Sequence, residues 1–374
     1  MAGIYIHIPF CKQQCTYCDF HFSTTFEVYR KEMIDAICLE LKTRKKYLQG
    51  KEVNTIYFGG GTPSILLESE LTLILDTIFS TFSVNLTAEI SLEANPDDIN
   101  SSSLNMWKQH GINRLSIGLQ SFKQSDLDWM NRAHNVADSS SCVSLAQAHG
   151  FENITVDLMY GLPDLSMDEW SLHVNRVMEM GVPHLSAYCL TVEEKTTLSN
   201  WVRKGKINTS TEDTQSDQFV KLLECIEKYG YEQYEISNFS KPGFESKHNS
   251  NYWKGEWYLG VGPSAHSFNG ASRSWAIANN RGYIKALKNN STYIETEQLS
   301  AVDQFNERIL IGLRTSYGVN LDDLSNLNEI TEAFNVTVNG FKEKHWVKDS
   351  GGTLTLTKEG KLRADYIASA LFLD

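Results

Sequence analysis

Three cysteines stand close together near the amino end of the chain, Cys11, Cys15 and Cys18, in the spacing C-x3-C-x2-C. Thiols at this density are packed together, oxidised together or bound to metal. Positions i, i+4 and i+7 share one face of a helix, so a buried cysteine stripe is one reading. A tetrahedral zinc site completed by His7 or His21 is a second. A third is an iron-sulfur cube: four irons call for four outside ligands, and three cysteines leave one iron open to bind and activate a small molecule. Cys38, Cys142, Cys189 and Cys225 stand singly and read as small buried hydrophobes.

The 374 residues are 41% hydrophobic and 21% charged, a globular composition long enough for two domains. A net charge of -12, from 34 Lys+Arg against 46 Asp+Glu, argues against a broad phosphate-binding face and so against nucleic acid as a partner. No apolar run approaches the roughly 18 residues that a membrane span needs, which leaves contact with a membrane surface as the one membrane role open. The opening MAGIYIHIPF has neither the basic start nor the small-residue cleavage site of a secretory signal, so the expected location is cytoplasmic. There, an odd count of seven cysteines does not describe a disulfide framework.

Something must position the three thiols, and the pattern around them alternates regularly. Apolar, β-branched runs at Ile4–Ile8, Val53–Phe58, Ala88–Leu92, Arg114–Leu119, Ile154–Met159 and Leu185–Leu190 predict six buried strands. Between them, Met33, Ile37 and Leu41, then Leu71, Leu75 and Ile78, then Trp170, Val174 and Val177 recur at helical spacing. Repeated β-α units of this length predict an α/β fold, a partial (β/α)6 barrel of the TIM type rather than a closed eightfold one. Chemistry in such folds collects at the carboxyl edge of the strands, where the cysteines, Gly59 to Pro63, Glu93 to Pro96, Gln120 and Tyr160 to Pro163 all fall.

A helix is expected over Gln215 to Tyr229, then a loop-like stretch with short strands over His248 to Phe268. Asn289 to Thr292 reads as a connector. Beyond it, a helix over Ala301 to Leu313, another over Asp322 to Phe334, a hairpin turning at Ser350-Gly351-Gly352 and a last helix from Glu359 predict a small winged-helix-like domain. The expected division is 1–230 for the barrel, 231–295 for an extension of it and 296–374 for the C-terminal domain.

With the aromatic Tyr17 just ahead of its third cysteine, the C-x3-C-x2-C run resembles the signature of the radical S-adenosylmethionine (SAM) superfamily. The resemblance implies that Cys11, Cys15 and Cys18 hold a [4Fe-4S] cluster and that SAM chelates the fourth iron. It further implies that one electron cleaves the sulfonium to give a 5'-deoxyadenosyl radical. The turn Phe58-Gly59-Gly60-Gly61-Thr62-Pro63 matches the family's glycine-rich approach to SAM, where a Cβ would push the ligand away. By itself that run is an ordinary turn.

Nearly the whole chain is similar to the oxygen-independent coproporphyrinogen III oxidases and their relatives, the radical SAM haem chaperones. The shared stretches are Tyr5-Ile6-His7-Ile8-Pro9-Phe10-Cys11, Glu93 in SLEANP, Gln120 in SIGLQSF, Arg132 in NRAH and Asp157 in DLMYGLP. The resemblance implies that Tyr5, Gly60, Gly61, Thr62, Glu93, Gln120, Arg132 and Asp157 contact SAM beside the cluster and Tyr17. The residue types suit the task, since carboxylates accept from an ammonium or from ribose hydroxyls and a guanidinium pairs with a carboxylate.

Two features separate the relatives. The oxidases have a further cysteine two residues past the third cluster ligand, where this chain has Phe20, a ring with no transferable proton and no redox chemistry. The chaperone branch has an H-N-x-x-Y-W motif, here His248-Asn249-Ser250-Asn251-Tyr252-Trp253, which the family associates with haem. An imidazole can ligate iron and aromatic rings can cover a porphyrin, so His248, Asn249, Tyr252 and Trp253 form the expected haem site, with His266 as the second candidate ligand. The resemblance therefore implies a haem chaperone that delivers haem to cytosolic or membrane haem proteins and uses an electron donor such as a flavodoxin or ferredoxin. The alternatives are an oxidase converting coproporphyrinogen III to protoporphyrinogen IX, and a zinc-stabilised scaffold.

Overall fold

Apolar residues on both faces of the early strands leave them no stable place except the middle of a parallel sheet covered by helices. In a computed structural model describing residues 1–373, β1 (Ala2–Ile8), β2 (Val53–Gly60), β3 (Val84–Ala94), β4 (Arg114–Gln120), β5 (Ile154–Tyr160) and β6 (His184–Cys189) pair in that order, all parallel. All six predicted strands form, each within a few residues of its expected bounds. The helices Arg30–Thr43, Glu68–Thr81 and Met167–Glu179 bury the residues whose spacing announced them, including Met33, Ile37, Leu41, Trp170 and Val174. Cys38, Cys142 and Cys225 are buried as small hydrophobes; Cys189 is only partly so, because it ends β6 at the open edge.

The sheet does not close on itself. A hairpin of β7 (Glu232–Glu235) and β8 (Asn238–Ser240) adds to β6, while β9 (Trp257–Val261) pairs parallel with β1 on the far side. Antiparallel β10 (His266–Phe268), β11 (Ser272–Ala276) and β12 (Ile294–Gln298) extend that side, making a twelve-stranded open barrel.

The chain crosses from one edge to the other through the helix Lys247–Trp253, in a stretch that the sequence predicts as loop. Its residues are weak helix formers. Three acceptors at its start substitute for propensity: the Ser246 hydroxyl takes the Asn249 N–H, and the Glu89 carboxylate takes the N–H groups of Lys247 and His248 at 3.2 and 3.0 Å. Glu89 in turn faces Arg114 at 3.8 Å, and the buried Arg114 guanidinium donates to Asn153 and Thr155.

A second hydrophobic core, with Phe305, Ile309, Phe334, Phe341 and Ile367, lies at the carboxyl end. There β13 (Val319–Asn320), β14 (Val347–Ser350) and β15 (Thr353–Leu356) form a three-stranded antiparallel sheet against helices, in the order β13-β15-β14. This is the winged-helix-like arrangement expected. The single helix predicted over Asp322 to Phe334 is instead two, Leu321–Ser325 and Glu332–Glu343, because Asn320 and Thr331 each cap a new start with their side chains. Among the described residues no helix is long and apolar enough to cross a membrane.

Arg114→Ala leaves the buried Glu89 carboxylate without its counter-charge and is expected to destabilise the fold by about 3–5 kcal/mol. Denaturant unfolding followed by far-ultraviolet circular dichroism measures it.

Candidate functional site

Alternation along the parallel strands sends Ile4, Ile6 and Ile8 outward under the helices and Gly3, Tyr5 and His7 inward. Register then stacks the interior in layers. Gly3 and Thr55, near the amino ends of β1 and β2, lie side by side with Glu89, midway along the longer β3; Tyr5, Tyr57 and Ser91 come next. Glu93 lies further toward the carboxyl edge, where a cavity of about 400 Å³ opens.

Contributions to this cavity come from the end of every strand from β1 to β6. Cys11, Cys15, Tyr17 and Cys18 follow β1; Gly60, Gly61 and Thr62 end β2; Glu93 and Asn95 end β3. Ser116 and Gln120 come from β4, Arg132 from beyond it, Asp157 and Met159 from β5, and Tyr188 from β6. Eleven of the twelve residues that the resemblance assigns to the cluster and SAM thus share one cavity, all but Tyr5. Sequence reasoning missed Asn95, Ser116, Met159 and Tyr188, although Ser116 and Met159 sit at inward positions that strand alternation marks.

The cysteine segment is not a helix, so the stripe reading is set aside. It is a loop held by its backbone: Cys11 N–H donates to Ser23 O, Thr16 N–H to Met130 O, and Leu198 N–H to Thr16 O. Lys12 adds ion pairs to Asp97 and Asp98, and the Asn131 amide donates to Gln14 O. Gly61 N–H donates to Ile8 O at 2.9 Å and Thr62 N–H to Phe10 O at 2.7 Å, tying the glycine turn to the loop. A Cβ on Gly61 would stand 2.6 Å from both the Ile8 and Phe10 carbonyl oxygens, and Gly60 has φ 101° with the His7 ring behind it. The glycines are therefore needed for the close approach of the cysteine loop itself, a reason that precedes any ligand.

Burial pushes the Cys11 thiol up to about 11 and the Cys18 thiol up to about 12. Thiols held protonated in this way release protons when a metal binds them. Thr62 donates to Cys11 Sγ at 3.4 Å, and the Arg132 guanidinium lies 3.6 Å from Cys15 Sγ while donating to Asn95 and to Gly118 O. Among the described residues no three His, Cys, Asp or Glu side chains converge as around a single metal ion. His7 and His21, the proposed fourth zinc ligands, line a different cavity. Three free thiols along one cavity wall fit a polynuclear cluster with an open side better than a closed tetrahedral site.

Two carboxyl groups face the same space. Glu93 accepts from Tyr57 OH at 2.8 Å and from Gly60 N–H at 3.2 Å, yet burial still raises it to about 7. Burial raises Asp157 to about 6 against weak help from Ser116. Gln120 has φ 64°, a left-handed conformation uncommon for a residue with a side chain, and its strained backbone ends β4 on the cavity wall.

The other predicted residues lie elsewhere. Tyr5 sits one layer toward the amino ends, its hydroxyl 3.1 Å from His7 Nδ1, and lines a second cavity with Tyr252 and Trp253. His248 plugs the barrel interior: it is buried, Nδ1 lies 2.9 Å from Thr55 Oγ1 and Nε2 2.8 Å from Tyr252 OH. Its ring stacks on Tyr57, and a Cβ on Gly3 would come within 3.3 Å of it. Both nitrogens of this buried imidazole are thus hydrogen-bonded to hydroxyls inside the barrel, and the ring does not line either cavity. Asn249 lies in the first turn of the same helix, with its N–H on the Ser246 cap.

Residues 5–177 match the Radical SAM superfamily. The chain is 32% identical over 374 residues to "Heme chaperone HemW" of Bacillus subtilis, covering 99% of each protein. It is 34% identical over 322 residues to the protein of the same name from Lactococcus lactis, covering 86% of this chain and 84% of that one. The chain belongs to the HemW family of the radical SAM superfamily. The fold agrees, since a solved structure of coproporphyrinogen III oxidase (HemN) from Escherichia coli, described as a radical SAM enzyme, superposes with a TM-score of 0.85 at 20% identity, covering 99% of this chain and 90% of that one. Membership in the superfamily implies a [4Fe-4S] cluster and SAM, and the cavity offers three thiols as cluster donors with carboxyl, amide and guanidinium groups beside them.

Gly61→Ala is expected to lower the melting temperature by the equivalent of about 1–3 kcal/mol, because the obstructing atoms are backbone. Gly340→Ala, in a helix with nothing near the added methyl, is expected to raise it by about 0.5–1 kcal/mol. Glu93 carries its own pH signature. Its pKa lies above the ordinary 4.5 when folded, so the folded state holds the proton more tightly, and the stability this confers below about pH 4.5 is lost as pH rises through 7. Glu93→Gln in cluster-free protein is thus expected to gain about 2–3 kcal/mol over the parent at pH 8, with the gain vanishing toward pH 4.5, as read by urea unfolding at each pH.

Proposed function

We propose that this protein is a haem chaperone: a carrier that binds haem beside a SAM-binding iron-sulfur site and delivers it to haem-requiring acceptor proteins of the cytosol or membrane. The observation that carries this reading is the position of Phe20. Its side chain lines both the thiol cavity and the neighbouring cavity of about 490 Å³. In the coproporphyrinogen oxidases that the sequence resembles, a cysteine occupies this position. A phenyl ring there can wall off or stack on a planar ligand, but it can neither donate nor accept a proton. The names of the relatives point the same way.

Cys11, Cys15 and Cys18 would hold the cluster. Glu93 and Asp157 would take the ammonium and hydroxyl groups of SAM, while Arg132, already beside Cys15 and Asn95, would meet its carboxylate. Gly60, Gly61, Thr62 and Gln120 would present backbone and amide groups around it. When bound, the pair supplies one-electron cleavage of the sulfonium. Burial raises both carboxyl groups, and a neighbouring ammonium would favour their charged forms. An external electron donor of the flavodoxin or ferredoxin kind, and a cytoplasmic location, complete the reading.

Anaerobic reconstitution is expected to give about four irons and four acid-labile sulfides per chain, lost when the three cysteines become alanine. The reconstituted protein should develop a shifted Soret band with haemin. It should leave coproporphyrinogen III unchanged in the presence of SAM and reductant. Efficient conversion would overturn the carrier reading in favour of the oxidase; zinc without sulfide would overturn both.

A further inference from the structure

The second cavity lies between β1, β9, β10 and the helix Ala301–Leu313, and it is lined by rings, among them Phe20, Tyr252, Tyr258 and Phe268. Haem iron in such a slot requires a nitrogen lone pair that nothing else uses. Three imidazoles border it: His7, His21 and His266. His7 is committed at both ends, Nδ1 to Tyr5 OH at 3.1 Å and Nε2 to His21 O at 2.8 Å. His21 Nε2 is 2.7 Å from Asn280 Oδ1, leaving only the nitrogen nearer its own backbone.

His266 differs from both. Its ring makes no hydrogen bond to any described residue, is exposed on the first residue of β10, and is backed by Trp275 with centroids 5.9 Å apart. Although the side chain reaches solvent, partial enclosure of its ring and the charge of Arg273 lower its pKa, which favours the neutral form that carries a lone pair. Arg273 stands on the same side of the slot, its Nε 2.8 Å from Glu307 and its guanidinium over Phe268. The terminal nitrogens of Arg273 donate to no described residue, which leaves them for a carboxylate.

We propose that His266, not the motif histidine His248, is the axial ligand of haem iron, with Arg273 receiving a propionate. This rests on the haem-carrier reading. The H-N-x-x-Y-W motif then has a positioning role. His248 Nε2 fixes the Tyr252 hydroxyl, and the helix so anchored presents Tyr252 and Trp253 to the slot that His266 faces.

The test is haemin titration of the reconstituted full chain, followed by absorption and resonance Raman spectra, for the parent and for His266→Ala, His266→Met, His21→Ala and His248→Gln. The expected result is that His266→Ala loses the parent's Soret position and at least about tenfold in affinity, and recovers the band with added imidazole. His266→Met should give a distinct spectrum, because a thioether replaces the imidazole, and His21→Ala should keep the parent's spectrum and affinity; His248→Gln, which loosens the Tyr252 contact, should bind more weakly but keep the parent's Soret position. Parent-like spectra and affinity in both His266 variants would overturn the assignment, as would loss of the band in His21→Ala alone. A parent that shows no Soret shift at all would instead overturn the haem reading on which the assignment depends.

Discussion

The site depends first on a seam between two backbones. Where β1 and β2 stop being strands, their hydrogen bonding continues through Gly61 N–H to Ile8 O and Thr62 N–H to Phe10 O. That continuation brings the start of the cysteine loop against the glycine turn, so the first thiol emerges at a height fixed by the sheet. The approach is too tight for any Cβ at position 61. Backbone contacts to Met130 and Leu198 then anchor the loop on its other side, around Thr16. A cluster ligand set drawn from a flexible loop would incur a large ordering entropy on metal binding; here much of that ordering belongs to the fold itself.

Everything beneath the seam is arranged in layers along the barrel axis. At the amino end, the helix Lys247–Trp253 drives His248 into the space left by Gly3 beside Thr55, closing the barrel from below. Tyr5 and Tyr57 roof that plug, and the Tyr57 hydroxyl reaches up to Glu93. Glu93 therefore sits on an aromatic floor, and burial raises both it and Asp157 above their ordinary range. Such a floor makes charged ligands more strongly felt than they would be in solvent.

The barrel was legible because its signal is periodic: six apolar runs and the helices between them need only alternation rules, and Cys11, Gly61 and Glu93 fall at strand ends by the same rules, while Asp157 falls at an inward position of β5. What stayed hidden depended on long-range partners. The helix at His248 forms because Glu89, far away in the chain, accepts two of its N–H groups. The break at Thr331 depends on a capping hydroxyl inside a stretch whose apolar spacing reads as continuous. His248 illustrates the limit at the site. Its motif is intact in the sequence, but only the placement of Thr55 and Tyr252 shows that both of its nitrogens are already used.

Phe20 links the two cavities and bears on how they work together. It is 67% exposed, an unfavourable state for a phenyl ring that burial would improve by about 1.5–3 kcal/mol. Its chain neighbours Asp19 and His21 are polar, and the ring projects between the two cavities. Under the haem-carrier reading the missing cover is the macrocycle: a flat apolar ligand in the second cavity buries the ring, and the ring in turn stands between that ligand and the thiol cavity. Substituting a thiol there would expose a reactive group to both spaces, whereas a phenyl transmits contact without chemistry. Phe20 is thus the side chain through which the two cavities meet.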